Sequence, residues 1–291
     1  MRMRATVVAA SGALALSALT VPAAQADGPA IPDLHVPTAA EVFGSAAKAP
    51  AAAASRAAAA EPVVSKVVVN GGKNIVLGTT DSKKIDISVT ASHPSGISDG
   101  FAVLWHGRDL VSEDGVDGEI IPNSEDADCK KINSTTSTCS STYIINPRKQ
   151  LYKNALAGTW HGAAGALAGD GFTIVWNDYA TTARVQRLSR LTVNAAPEPV
   201  KKGGTITVTG KLSRANWEDH AYHGYTGQAV KLQFRKKGSS TYTTVKTIKT
   251  NSTGTLKTTV KASVDGYWRY SFGGTSTTPA VSAAGDFVDV K

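Results

Sequence analysis

The chain has 291 residues, with 31 Lys and Arg against 23 Asp and Glu for a formal charge of +8, and 42% of its residues are hydrophobic. That length predicts two domains. The two cysteines come with no Cys-x-x-Cys pair or nearby histidine, which makes a cysteine-based metal centre a poor reading.

The charge is uneven along the chain. Residues 189–291 hold 15 Lys and Arg against 6 Asp and Glu, while residues 27–188 hold 14 against 17. A basic module beside a mildly acidic one is expected to prefer anionic surfaces, with solubility as the plain alternative.

Residues 1–26 read as a secretory signal peptide. Arg2 and Arg4 precede a small, apolar run from Ala5 to Val21, and Ala24-Gln25-Ala26 forms an A-x-A cleavage site. A secreted, extracellular protein cleaved near Ala26 is therefore expected, with no transmembrane anchor, because the apolar run is short of a span and nothing similar follows. For such a chain, with no recognition motif, nucleic acid is excluded as a partner. Residues 27–62 are rich in Ala and Pro and are expected to be a disordered linker, with a helix between Ala39 and Ala60 as the alternative.

A first module is predicted from 63 to 188. Val64–Val69, Asn74–Leu77, Ile85–Ala91 and Gly100–Trp105 read as strands, and Ile85, Ile87 and Val89 alternate with Asp86, Ser88 and Thr90. From 106 to 146 the pattern loosens into an acidic insertion, resuming as a strand at Cys139–Ile145. Gly158–His161, Phe172–Trp176 and Arg184–Leu188 read as closing strands, and no helix is expected in either module. Cys129 and Cys139, separated by nine residues in an exported chain, are expected to form a disulfide. Within the insertion, Asp114, Asp117, Glu125, Asp126 and Asp128 are the candidate oxygen ligands for calcium. The spacing does not match an EF-hand loop, and solvated loop charge is the alternative.

A second module is predicted from 189 to 291. Thr205–Leu212 is its first clear strand. Val230, Leu232 and Phe234 then alternate with Lys231, Gln233 and Arg235, and Trp268, Tyr270 and Phe272 with Tyr267, Arg269 and Ser271. Period-two alternation puts the apolar set on a core face. The short link between modules predicts a semi-rigid arrangement with two separate cores. Between strands, Trp217, His220, Tyr222, His223 and Tyr225 form an aromatic and histidine-bearing loop, a candidate surface for sugars or protein. Half of a zinc site is the weaker reading of His220 and His223. Lys231, Arg235, Lys236, Lys237, Lys246, Lys249, Lys257 and Lys261 form a candidate basic stripe for an anionic wall polymer. Lysines placed to discourage edge pairing are the alternative.

The runs Gly204-Thr-Ile-Thr-Val-Thr-Gly-Lys-Leu, Gly227-Gln-Ala-Val-Lys-Leu-Gln-Phe and Gly266-Tyr-Trp-Arg-Tyr-Ser-Phe resemble bacterial Ig-like domains, which occur in secreted proteins of actinobacterial type. The resemblance covers residues 190–291. Over the first module it rests only on Lys84–Ala91 and the strand start at Ala157-Gly-Thr-Trp. It implies tandem sandwiches used as adhesive, spacer or binding modules, and no activity.

The expectation is thus an all-β chain: two tandem Ig-like β-sandwich modules behind a signal peptide and an Ala/Pro-rich segment. Its expected role is that of an exported, non-enzymatic binding or structural protein, free of cofactors. The expected partner is cell wall, another extracellular polymer or a protein. A calcium-binding protein is one alternative. A hydrolase is another, with His161 and Asp170 as base and orienter and no evident nucleophile.

Overall fold

The computed structural model describes residues 34–44, 61–112, 114–124 and 127–291. The expected signal peptide and most of the 27–62 segment lie outside these residues. The described chain is nearly all β and forms two sandwiches.

The first sandwich contains β1 (Val63–Val69), β2 (Ile75–Leu77), β3 (Lys83–Ser92), β4 (Ile97–Gly107), β5 (Val116–Ile120), β6 (Asp128–Lys131), β7 (Thr136–Ile145), β8 (Gly158–Ala168) and β9 (Ile174–Arg187). One sheet runs β1-β3-β7-β6 and the other β2-β9-β8-β4-β5. Alternation does what period two requires: Ile85, Ile87, Val89 and Ala91 of β3 are buried, and Tyr143 and Ile145 of the neighbouring β7 are buried on the same face. The second sandwich contains β10 (Ser189–Leu191), β11 (Asn194–Ala196), β12 (Gly204–Asn216), β13 (Ala221–Gly224), β14 (Ala229–Lys236), β15 (Thr243–Lys249), β16 (Thr255–Ala262), β17 (Gly266–Phe272), β18 (Val281–Ser282) and β19 (Asp286–Val288). β12 is the spine of one sheet, pairing β10, β11, β13 and β16. The other sheet runs β15-β14-β17-β18, with β19 also on β17.

Each core buries one tyrosine that ties its two sheets together. Tyr143 of β7 donates its hydroxyl to the carbonyl of Ala102 on β4 (2.6 Å), and Tyr270 of β17 donates to Val208 on β12 (2.9 Å). Burial pushes both phenols well above their ordinary range, so each stays a neutral donor.

Several expectations are corrected. The 106–146 stretch is not irregular: it supplies β5, β6 and all of β7, which begins three residues before the expected Cys139, with the ladder of β3 and β7 continuous from Ser92↔Thr136 to Lys83↔Ile145. The two closing strands expected at Phe172–Trp176 and Arg184–Leu188 are one long strand, β9, broken in register between the partners of Gly162 and Ala164. A short helix, α2 (Pro147–Gln150), follows β7, capped by Asn146 accepting from the Arg148 amide. Inside the stretch expected to be a linker, α1 (Ala39–Phe43) opens on a capping box in which Thr38 and Glu41 satisfy each other's backbone amides. Phe43 is buried against Trp176, where Gly165 leaves room: a Cβ there would lie 2.6 Å from the Trp176 ring and 3.2 Å from Phe43.

The two hydrophobic cores are not wholly separate in sequence. Leu191, Ile206, Val208, Leu232 and Trp268 belong to the second core, but Ala215 and Trp217 are buried in the first.

Candidate functional site

The 217–225 segment is not an aromatic binding loop. It is the lock between the sandwiches. β12 pairs with β16 from Gly204 to Lys211, then changes partners, pairing β10 from Leu212 to Arg214 and β13 from Ser213 to Asn216. Past Leu212 the buried side chains of this strand end, Ala215 and Trp217, pass from the second core to the first. Trp217 is fully buried in the first core, and its indole N–H donates to the Gly78 carbonyl at 2.9 Å. Asn154 accepts the Trp217 amide at 3.0 Å and donates to the Asn216 side chain at 2.5 Å. Tyr222 packs against the first core with the Arg190 guanidinium 3.5 Å above its ring. Tyr225 packs against the second, edge-on to Phe272, under Arg214 at 4.0 Å. His223 is exposed and paired with Asp219 at 2.5 Å, while His220 sits at a left-handed turn with φ of 59°. Alternation explains the error. Leu212 belongs to the second core and Ala215 and Trp217 to the first, and a strand that changes sandwich looks in sequence like a strand that has ended.

Other polar contacts tighten the junction. Arg187 is buried and donates from Nε to the Ala215 carbonyl at 2.6 Å. Burial, reinforced by the nearby Arg214, lowers its guanidinium to about 10. Gln186 bonds Asn74 in the first sandwich and the Thr275 carbonyl in the second, at 3.0 and 2.9 Å.

The acidic insertion disperses its carboxylates. Asp117 pairs with Lys153 at 2.8 Å and with His106. Asp114 is exposed in a turn, Asp128 lies on β6 beside Lys130 at 3.6 Å, and Glu125 and Asp126 are outside the described residues. Among the described residues no group of three or more His, Cys, Asp or Glu converges on one point. Asp109 is a loop staple that accepts the amides of Ser112 and Val111 and the Arg108 guanidinium; these bonds, the Ser112 amide first, hold it well below the usual carboxylate range. The Cys129–Cys139 disulfide is present and joins directly opposite residues of β6 and β7, with Cα atoms 3.9 Å apart.

His161 and Asp170 do not form a catalytic pair. The His161 ring is stacked on Trp105 at 4.6 Å and meets Tyr179 edge-on at 5.2 Å. The Asp170 carboxylate caps its own turn, accepting from the amides of Phe172 and Thr173 at 2.9 Å each.

The basic residues do not form one stripe but are spread over both sheets of the second sandwich. Lys257 and Lys261 of β16 are exposed on the outer face of the β12 sheet, while Lys246 reaches from β15 to Thr258 and the Thr259 carbonyl, bridging the two sheets at their edge. Lys249 ends β15 opposite Ala229, and Lys236 lies at the end of β14. Lys231 and Arg235 share the outer face of the β14–β17 sheet, with Lys237 just beyond, and there the structure adds residues that the sequence reading left out. Register places Arg269 opposite Gln233 and Tyr267 opposite both Arg235 and Phe287.

On this face the planar groups stack. Arg235 lies 4.1 Å from the Tyr267 ring and 5.3 Å from Tyr242. Arg269 lies 3.7 Å from Tyr242, Tyr267 is 5.1 Å from Phe287, and Lys237 stands 5.4 Å over Phe287. Tyr242, from the turn before β15, crosses the face to reach Gly285, where a Cβ would meet its hydroxyl at 2.4 Å. Each guanidinium also has a neutral acceptor: Arg235 donates to the Ser239 carbonyl at 2.5 Å and Arg269 to the Gln233 side chain at 2.8 Å. Neither is in an ion pair among the described residues. Alternation in β17 was the available signal, since it puts Tyr267 and Arg269 on the face opposite Trp268 and Tyr270. Tyr242, in a turn, gave none.

No protein family model matches the chain. No curated protein matches it. Among solved structures, a chimeric titin Z1Z2-Z1Z2 tandem is similar at 12% identity and a TM-score of 0.27, over 79% of this chain and 99% of that one. Fibronectin(III)-like modules of Clostridium thermocellum CbhA align at 14% identity and a TM-score of 0.29, over 77% and 93%. The D00-D0 domain of intimin aligns at 17% identity and a TM-score of 0.25, over 77% and 99%. Similarity this low leaves the architecture to rest on the strand pairing itself: two β-sandwiches joined through β12.

Proposed function

We propose that the chain is an exported, non-enzymatic surface protein whose two sandwiches act as a stiff support, presenting a binding face to cell-wall material or another extracellular polymer. Export is supported by the charged start, apolar run and A-x-A site of residues 1–26. The observation that carries the stiff-support reading is the planting of Trp217 in the first core by a strand that begins in the second. Independent domains joined by a linker move by default; a buried Trp and a buried Arg at the junction oppose that motion. Stiffness keeps the ordering cost of attachment low, because the binding face is oriented before contact.

The test is small-angle scattering of the full chain and of Trp217→Ala. The reading expects one fixed separation between sandwiches in the parent and a broadened distribution in the variant. A parent profile as broad as the variant's would remove the stiff support. Absence of the protein from the culture medium and cell surface of a producing cell would remove export.

A further inference from the structure

We infer that the outer face of the β14–β17 sheet is a binding site for a linear polymer carrying repeated oxyanions, phosphate or carboxylate, engaged by the edges of Arg235 and Arg269. This deepens the surface-binding reading and rests on it. Both guanidiniums have a ring against the face, which restrains the side chain while leaving the in-plane N–H groups able to donate. A guanidinium has five such donors, and each of these two uses one on a neutral protein acceptor. Two restrained cations with unused donors and no carboxylate partner match the planar fork that phosphate and carboxylate accept.

The sheet also sets a period. Alternate residues on a strand stand roughly 7 Å apart on one face. Lys231, then Arg269 filling the place opposite Gln233, then Arg235, then Lys237 make a row of positive charge at about that step. Lys237 closes the row, sharing its charge with Asp265 at 3.4 Å. A row along one face of a sheet suits an extended polyanion with one charge per repeat. The opposite sheet carries Lys257 and Lys261 without stacked partners, which provides an internal control.

The experiment measures retention of the full chain on immobilised polyphosphate, polygalacturonate and neutral dextran at about 0.15 M salt, where charges beyond roughly 8 Å are screened. Expected is retention on one or both polyanions and none on dextran; polyphosphate alone identifies phosphate as the oxyanion, polygalacturonate alone a carboxylate. Arg235→Lys with Arg269→Lys keeps the charge and removes the fork, and should weaken binding about tenfold, as loss of a charged hydrogen bond does. Lys257→Gln with Lys261→Gln, which removes two charges from the other sheet, should weaken it less than about twofold, as expected of loosely placed surface charge. Equal losses in the two pairs, or no retention on either polyanion, would overturn the site. Scattering profiles of the same variants separate this outcome from failure of the stiff support, since none of the four residues touches the junction.

Discussion

Trp217 donates its indole N–H across the junction to the Gly78 carbonyl at 2.9 Å, while the peptide before it continues a strand rooted in the other sandwich. The second sandwich thus supplies part of the first one's core. Removing the ring should cost roughly 3–5 kcal/mol, the range for a buried Trp replaced by Ala. It also frees the Gly78 carbonyl. We expect the parent chain to melt in one calorimetric transition and Trp217→Ala to melt in two, with the first sandwich unfolding earlier. A single transition in the variant, shifted but not split, would mean that the remaining contacts of Arg187 and Gln186 suffice to couple the sandwiches.

The disulfide gives a second check on coupling. Cys129 and Cys139 enclose a short loop, so the chain-entropy estimate for their bridge is on the order of 2–3 kcal/mol. Cys139 is buried beside Ala91, Ile97 and Ala166, and a Ser there would place a hydroxyl among them. Cys129→Ser, at the more exposed partner, isolates the loss of the bridge more cleanly. Its melting temperature should fall, and in the coupled molecule the second sandwich should unfold at the same lowered temperature. Calorimetry of parent and variant reads this directly.

How much of this was legible follows from where the alternation is unbroken. β3, β14 and β17 keep apolar and polar residues in strict turn, and the structure agrees with the reading of each. Trp217 misled because its burial is supplied by the other sandwich, where its bonding partners Asn154 and Gly78 lie 63 and 139 residues away in the chain, and no local pattern encodes partners that distant. The basic stripe misled for a related reason. Lysines adjacent in a count of charge lie on opposite sheets once β14 and β16 are assigned to different faces of one core. The acidic insertion looked irregular because β5 and β6 are short and their charges bond locally, as Asp109 does with its own loop. Phe43 was obscured by composition, its neighbours being Ala and Pro on both sides.

Phe43 joins the Ala/Pro-rich segment to the first sandwich through an aromatic contact. It meets Trp176 edge-on at 6.3 Å, and the helix that carries it has five residues, too short to persist alone. Phe43→Ala should therefore release residues 34–44 without unfolding the sandwich. The measurement is tryptophan fluorescence with limited proteolysis: increased quenching by iodide and faster cleavage within 34–44, with the main melting transition moved little. Gly165→Ala should release the same segment but also lower the main transition, because the added carbon would fall 2.5 Å from the Val175 backbone carbonyl of β9 as well as press on both rings.

Asp117 gives stability a definable acid dependence. Partial burial alone would raise its carboxyl, but the Lys153 ammonium at 2.8 Å and the His106 ring outweigh burial and hold it below its ordinary value. A carboxyl depressed in the folded state stabilises fully above its unfolded pKa of about 3.9, and the contribution is lost as pH falls through the lower folded value. Asp117→Asn removes the titration. The difference in melting temperature between parent and variant should be steady from about pH 7 to pH 5 and shrink toward zero as the medium approaches about pH 2. Lys153→Met should narrow the same difference at neutral pH, since it removes the ammonium that pairs with the carboxyl. A gap between parent and Asp117→Asn that grows on acidification would mean that the carboxyl is raised by its burial, and that the pair with Lys153 does not outweigh it.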